Sequence, residues 1–575
     1  MILDLGWMVL ANGSVLIAAR ALSRAFASGN AAVDAVLVLL FRQVLIAALV
    51  ITAGIMGLLC AEWLGILAMT LAVPVLLKKP AAPEGPARRP DLGPAVLAVA
   101  ALIALKVLAQ VWLFAPYNYD ALSYHLLKVA EWVRAEGFTR EMGLDSHVSL
   151  PAGFELVETW WTVFLRHDVL IEMAGVEALL LAAVGAFGLA KHLGLSDRFA
   201  GLAGLATAAC PAVQVQATGC LNDLATAAFV IASLLLIAER VAWPIVLVAV
   251  GLGIGTKPTF AYTLPGLALL AWTVRREPAA PCKGPPAERL AIGALGLALG
   301  AYWYARNAWW YGNPLHPVGM HGLSDRMGKI QLGMNPSSLG ESLLALVESR
   351  IYDRAERIGP LLTGVAGWGP LVFACGTVAL LAGLREDARL RRLTAAALAS
   401  VACILLLTRT DPWNMRFILF LPAIFCVAVA RTCEKVPRMI PIAAAGLAYA
   451  LLSSLLPGEI TRAEATVLWS QGWRERSVAP LVFGPIPEAD AIGCFFDVRR
   501  KPYPLYGPDF SRRLVYLRAA SSDELIALME KEGLRYVFAF PHHPEGMEVL
   551  EDCQRRGALK PWRGSFFEVV PRRSP

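Results

Sequence analysis

Long apolar runs, each near the ~20 residues that cross a hydrocarbon layer as a helix, recur from one end of the chain to the other. Read in order they give about fourteen candidate spans. They fall near 3–22, 33–59, 60–77, 92–115, 168–192, 199–217, 222–239, 242–256, 258–274, 290–308, 368–384, 393–408, 415–431 and 439–456. Between them lie short polar loops and three longer polar pieces, near 116–167, 307–367 and 457–575. The last piece changes period. Residues 491–496, 513–517, 535–540 and 566–570 read as strands, and 521–532 and 545–556 as helices, with Ser521 or Ser522 as a cap. The pattern therefore predicts an all-α polytopic membrane protein of about 12–14 spans. It divides into a multi-span domain over 1–456 and a small α/β extramembrane domain over 457–575. The stretch 80–94, rich in Pro, Gly and Ala, is the one linker-like segment.

Charge adds an orientation. Of 575 residues, 57% are hydrophobic and 17% charged, which excludes a soluble multidomain enzyme. The net charge of +7 does not point to nucleic acid, because the bases sit in short loops between apolar runs. Lys78, Lys79, Arg88 and Arg89 follow the third span, and Lys191 and Arg198 the fifth. Arg275, Arg276, Lys283 and Arg289 follow the ninth, Arg385, Arg389, Arg391 and Arg392 the eleventh, and Arg431, Lys435 and Arg438 the thirteenth. If every one of these loops is cytoplasmic, the spans alternate without contradiction, and the three long polar pieces and both termini lie outside. No Cys-x-x-Cys pair occurs, and most of the ten cysteines lie in or beside apolar runs. Cys494 and Cys553 share the tail and could pair in an oxidising compartment.

The outer side then collects chemistry. The first outer loop reads Tyr117-Asn118-Tyr119-Asp120-Ala121-Leu122-Ser123-Tyr124-His125. From there Leu122, Leu126, Val129 and Val133 keep helical spacing, which predicts an amphipathic helix on the outer surface with Asp120 at its start. Asp120 reads as a helix cap or as a reactive carboxylate, and the two readings do not exclude each other. Asn222-Asp223 opens the seventh span at the same level, with the same two readings. Lys257, Arg306-Asn307 and Arg416 converge there too, either as snorkelling cations or as anion ligands. Carboxylates can act as general base or hold a divalent metal, here through Asp120 and Asp223. Cations can neutralise a lipid-linked phosphate.

The segment Tyr119-Asp120-Ala121-Leu122-Ser123-Tyr124-His125, with Trp132 and Gly137, resembles the first-loop motif of bacterial GT-C glycosyltransferases. These are the membrane enzymes related to the lipid A aminoarabinose transferase and the protein O-mannosyltransferases. Pro151-Ala152-Gly153-Phe154-Glu155, Asn222-Asp223, Gly255-Thr256-Lys257, Tyr304-Ala305-Arg306-Asn307, Gly312-Asn313-Pro314 and Gly367-Trp368-Gly369-Pro370 follow in the family's order. The resemblance spans roughly 116–422.

It implies an inverting hexosyl- or pentosyltransferase of a bacterial inner membrane. Such an enzyme moves a sugar from a polyprenyl-phosphate donor to a glycan, lipid or protein acceptor on the periplasmic side. Asp120 would take the acceptor proton. Tyr124, His125, Glu155, Asn222, Asp223 and Asn307 would bind substrate, and Lys257, Arg306 and Arg416 join them on charge more than on the motif, as cations for the phosphate. The chain departs from the lipid A branch at Ser149 and Leu150, where that branch carries an acidic–basic pair. It also has four spans before the motif, three of them ahead of the linker-like stretch, where many relatives have one. The rival readings are a transporter or flippase for a lipid-linked sugar and an inactive scaffold.

Overall fold

The computed structural model describes residues 2–77, 90–140, 143, 146–278, 283–318, 367–408, 416–455, 460–496, 501–541 and 543–571. The linker-like stretch up to residue 89, most of the second outer loop (319–366) and the approach to Arg416 (409–415) lie outside the described residues.

Each of the fourteen apolar runs is helical. The first half is α1 (Ile2–Ala25), α2 (Ala31–Met56), α3 (Ala61–Leu77), α4 (Gly93–Leu113), the outer-loop helices α5 (Leu126–Ala135) and α6 (Gly153–Val163), and then α7 (Met173–His192). There follow α8 (Asp197–Ala209), α9 (Pro211–Ala217), α10 (Asp223–Ala238), α11 (Trp243–Thr256), α12 (Leu264–Val274) and α13 (Pro286–Tyr311). The last four spans are α14 (Gly376–Glu386), preceded by a π-turn at Leu371–Cys375, α15 (Ala388–Leu407), α16 (Leu421–Lys435) and α17 (Ile440–Ser453).

Among the described residues five segments are long and apolar enough to cross a membrane unaided, and α8 with α9 makes a sixth bent by 64°. Of the others, α13 is 26 residues long but carries more polar and charged positions, while several are shorter because prolines and polar breaks interrupt them. Pro211 starts α9 after the bend, and Lys257-Pro258 separates α11 from the turn that leads into α12. The chain is a polytopic membrane protein with a small α/β domain at its C-terminal end.

Two helices set the level of the later residues of interest. Gly251 and Gly255 on α11 face Gly296 and Gly300 on α13, a small-residue seam that lets backbones touch without a hydrophobic driving force. A Cβ at Gly251 would stand 2.1 Å from the Gly296 carbonyl oxygen, and one at Gly300 would stand 2.2 Å from that of Gly251. Gly251→Val is therefore expected to part the two helices and destabilise the protein by about 1–3 kcal/mol or more, read as a lower thermal midpoint in detergent. An unchanged midpoint would show that the seam carries no packing constraint.

The basic loops meet at one end. Arg198 pairs with Asp91 at 3.1 Å, the Ser196 N–H bonds Glu434 at 2.9 Å, and Arg389 donates to the His192 carbonyl at 2.7 Å. Arg392 pairs with Glu277, and Asn30 bonds Glu239 at 3.2 Å. Loops that charge and alternation assign to one side thus touch one another, so the spans alternate as read.

The tail forms a mixed sheet in the order β2-β1-β3-β5-β4. Its strands are β1 (Ala491–Phe496), β2 (Arg513–Tyr516), β3 (Tyr536–Phe540), β4 (Leu559–Arg563) and β5 (Phe566–Val569). The helices Ser522–Lys531, capped by Ser521, and Pro544–Arg555 cover one face. Strand β4 was not legible in the sequence. Cys494 and Cys553 are both free. Alternation along β1 turns Cys494 toward the core shared with the membrane helices, whereas Cys553 packs under the two tail helices on the opposite face. The Cys494–Cys553 pairing that the spacing left open does not form.

Candidate functional site

The first outer loop departs from its expected form. The amphipathic helix predicted for the outer surface is buried. It begins as a π-turn over Ala121–His125 and continues as α5, whose residues Leu126 to Val133 are all buried. Its polar face can be buried because its charges are paired: Lys128 with Glu155, and Glu131 with Arg134 at 2.5 Å. Nor is Asp120 a cap. Its backbone is already helical (φ −65°, ψ −40°), its side chain makes no capping bond, and its own N–H donates to the Asn118 side chain at 3.1 Å. The Asp120 carboxylate is left for something else.

That something is Arg416, whose Nη2 lies 2.6 Å from Asp120 Oδ2. The same guanidinium holds Asp223 Oδ2 at 3.2 Å from its Nε, and Lys257 Nζ bonds the other oxygen of Asp223. Asp223 is the first residue of α10 and does not cap it either; the preceding Asn222 makes no capping bond. Asn222 instead donates to the Thr256 carbonyl at 3.3 Å, tying the start of α10 to the end of α11, where Lys257 follows. Phe417 supports both cations, with Lys257 Nζ 4.3 Å and Arg416 Cζ 5.8 Å from its ring centroid. Two acids and two bases, drawn from four separate stretches of the chain, thus form one network at the end opposite the basic loops.

A second network adjoins the first. His125 Nδ1 faces Glu155 Oε1 at 2.8 Å, and Lys128 reaches the same oxygen. Burial pushes the His125 imidazole below its usual value despite Glu155, so it is neutral at physiological pH. Burial alone would raise Glu155, but Lys128 and His125 prevail and keep it ionised. One helical turn on, burial and the Glu155 charge push Glu158 well above the carboxylate range, so it is protonated. The Tyr124 ring lies tilted against those of His125 (centroids 4.4 Å apart) and His147 (5.1 Å). Lys128, Glu158 and Phe417 were missed in the sequence. Lys128 lies one helical turn beyond His125, the only signal that could have included it.

Arg306 and Asn307 stand apart from the ion pairs. Arg306 donates to Asn307 Oδ1 (2.7 Å) and to the Ser149 carbonyl (2.8 Å), and lies over the Trp303 and Trp310 rings. Asn307 donates to the Ser149 carbonyl at 2.9 Å and to that of His316 at 3.0 Å. Together they brace the segment before Pro151, where the chain lacks an acidic–basic pair.

The donor set does not fit a resident divalent metal. Both carboxylates are already bound by Arg416 and Lys257, and among the described residues no group of three His, Cys, Asp or Glu side chains gathers to hold an ion. Chemically, the arrangement offers one partly accessible carboxylate, Asp120, beside two fixed cations. It can accept a proton and hold an anion at the same place.

Neither a protein family nor a curated protein sequence matches the chain. Solved structures similar to it include ArnT from Cupriavidus metallidurans bound to undecaprenyl phosphate, at 15% identity and a TM-score of 0.49 over 83% of this chain and 98% of that one. The same protein in its apo state is similar at a TM-score of 0.47, again with 15% identity and the same coverage. The apo oligosaccharyltransferase of Archaeoglobus fulgidus is similar at a TM-score of 0.41, with 12% identity over 77% of this chain and 69% of that one.

Proposed function

We propose that the protein is an inverting membrane glycosyltransferase that moves a sugar from a polyprenyl-phosphate donor to an acceptor hydroxyl, with Asp120 as the general base. The observation that carries this reading is the convergence of Asp120, Asp223, Lys257 and Arg416 where the spans end. In the reaction the acceptor oxygen attacks the sugar's anomeric carbon as its proton passes to Asp120. The bond from that carbon to the phosphate oxygen breaks, and polyprenyl phosphate leaves with the electron pair. Lys257 and Arg416 balance the charge that grows on the phosphate. Asp223 holds both cations in place, and His125 and Glu155 fix the helix that presents Asp120 and Tyr124. A site at this level reaches a lipid tail within the bilayer and an acceptor outside it. The acceptor class is a glycan, lipid or protein.

The resemblance implies a bacterial inner membrane, and the positive-inside pattern supports the site and the domain 457–575 facing its non-cytoplasmic, periplasmic side. A transporter would need charges lining a path. The two clearest within spans are instead committed to structure: Arg42 to Glu177 and Asn12, and Lys106 to Gln214 and Ser454.

The test is transfer itself. Purified protein in lipid discs, given a panel of radiolabelled polyprenyl-phosphate sugars and a membrane extract as acceptor, is expected to move label from one of them with inversion. Label transported into sealed vesicles without a new glycosidic bond would support the transporter instead.

The pH profile gives a second check. Burial raises the Asp120 pKa, but Arg416, with help from Lys257, outweighs it and holds the carboxyl below its usual value. The base is thus ionised at neutral pH, and the acid limb of kcat/KM lies below the ordinary aspartate range. In Arg416→Gln, burial acts with less opposition, so the limb of the residual activity moves to higher pH. A limb that stays in place would remove Asp120 as the titrating base.

A further inference from the structure

The tail is wedged into the site rather than hung beside it. Residues Tyr503–Tyr506 form a buried turn packed against the π-turn and α5 of the first outer loop, and Leu505 and Tyr506 are wholly inaccessible. Tyr503 donates to Asp168 at 3.1 Å, and Tyr506 meets the Tyr516 hydroxyl at 3.2 Å. This fixes the residue that enters the turn, Lys501. Its ammonium stands 5.1 Å from the Tyr117 ring centroid and 5.5 Å from that of Tyr119, two of the three residues that precede Asp120. Among the described residues it pairs with no carboxylate within ion-pair distance, unlike Lys257 and Arg416. Glu464, which feels the Lys501 charge, is itself bonded by the Tyr117 and Thr461 hydroxyls. An ammonium held over two phenol rings, with no carboxylate in contact, has donors to spare.

We infer that Lys501 is a third phosphate-binding cation of the site, supplied by the C-terminal domain and held at the rim of the Asp120 loop. The inference rests on the glycosyltransferase reading for its choice of ligand, a phosphate ester at the membrane boundary. Lys257 and Arg416 are neutralised by Asp223 and Asp120, so the network they form carries no net charge; Lys501 supplies the missing positive excess. The phosphate it meets belongs either to the polyprenyl donor or to a phosphorylated acceptor.

The experiment compares wild type, Lys501→Gln and Lys501→Arg in phosphatidylcholine discs, titrated with polyprenyl monophosphate and, separately, with phosphatidic acid. Lys501→Gln is expected to weaken binding about tenfold, the loss of one charge-assisted hydrogen bond, while Lys501→Arg stays near wild type. Loss confined to polyprenyl monophosphate assigns the donor phosphate. Loss confined to phosphatidic acid assigns an acceptor phosphate, and loss of both assigns the phosphate group whatever its lipid. Equal binding of both lipids by wild type and Lys501→Gln overturns the inference, as does a Lys501→Arg loss as large as that of Lys501→Gln. Lys501-dependent binding without any sugar transfer would refute the enzyme reading and leave this one standing.

Discussion

Asp120→Asn is expected to reduce sugar transfer by about 10²–10⁴-fold while the protein still folds and inserts. The amide cannot accept the acceptor proton, yet the local structure does not depend on the carboxylate. Asp120 caps no helix, and its backbone N–H bonds Asn118 whichever side chain it carries. Arg416 keeps its contact with Asp223, which then faces both cations, and the amide oxygen that replaces the carboxylate can still accept from the guanidinium. The check is transfer rate against far-UV circular dichroism and thermal midpoint of the same preparation. Full transfer by the variant would remove Asp120 from the chemistry.

Arg476→Ala is expected to have the largest effect on stability, about 3–5 kcal/mol. Arg476 is a tail residue almost wholly inside the protein, 2% exposed, and no compact apolar side chain could replace what it holds. One terminal nitrogen donates to the carbonyls of Val111 (2.8 Å), Trp112 (3.1 Å) and Phe114, at the last turn of α4, where carbonyls have no helical partner. The other reaches the Asp168 carbonyl at 3.3 Å and its carboxylate at 3.4 Å. Alanine would leave those carbonyls without their donor and the buried Asp168 carboxylate without its guanidinium, held by the Tyr503 hydroxyl. The tail should then open, and limited proteolysis of the intact protein in detergent should release a C-terminal fragment much faster than from wild type. Equal proteolysis would mean that the tail is held by its apolar contacts alone. Loss of Lys501 from the rim would accompany opening, so donor binding should weaken too.

What the sequence revealed and what it hid follow from range. Apolar runs are local, and each of the fourteen is a helix; the alternation of basic loops needs only counting along the chain, and the loops do meet. Asp120, Asp223, Lys257 and Arg416 can be grouped from the chain alone because each sits at a span end on the same side, and topology brings span ends together. The π-turn was hidden, since nothing in Ala121-Leu122-Ser123-Tyr124-His125 distinguishes it from an ordinary helix start. Burial of α5 was hidden because Lys128 is satisfied by Glu155 and Glu131 by Arg134, and because the helix is covered by a domain more than three hundred residues away. Strand β4 reads Leu-Lys-Pro-Trp-Arg, and its proline and charges mask it as an edge strand. The docking of Arg476 onto Asp168 and of Lys501 onto Tyr117 and Tyr119 has no local signature at all.

The additional helices at the N-terminus have a place in this arrangement. Arg42 on α2 bonds Glu177 on α7 at 2.7 Å and Asn12 on α1 at 2.7 Å, while Trp160 and Trp161 on α6 donate to Asn12 and Glu177. The network ties α1 and α2 to the helix that carries Glu155, so the first spans brace the outer loop from within the bilayer.

Catalysis as drawn turns on a phosphate meeting two cations beside Asp120. A cryo-electron microscopy map of the protein in lipid discs with polyprenyl monophosphate should show the phosphate within hydrogen-bond reach of Lys257 and Arg416, with the prenyl chain running down between the spans. Phosphate bound instead among the basic loops at Arg198, Arg389 and Arg392, with nothing beside Asp120, would contradict it.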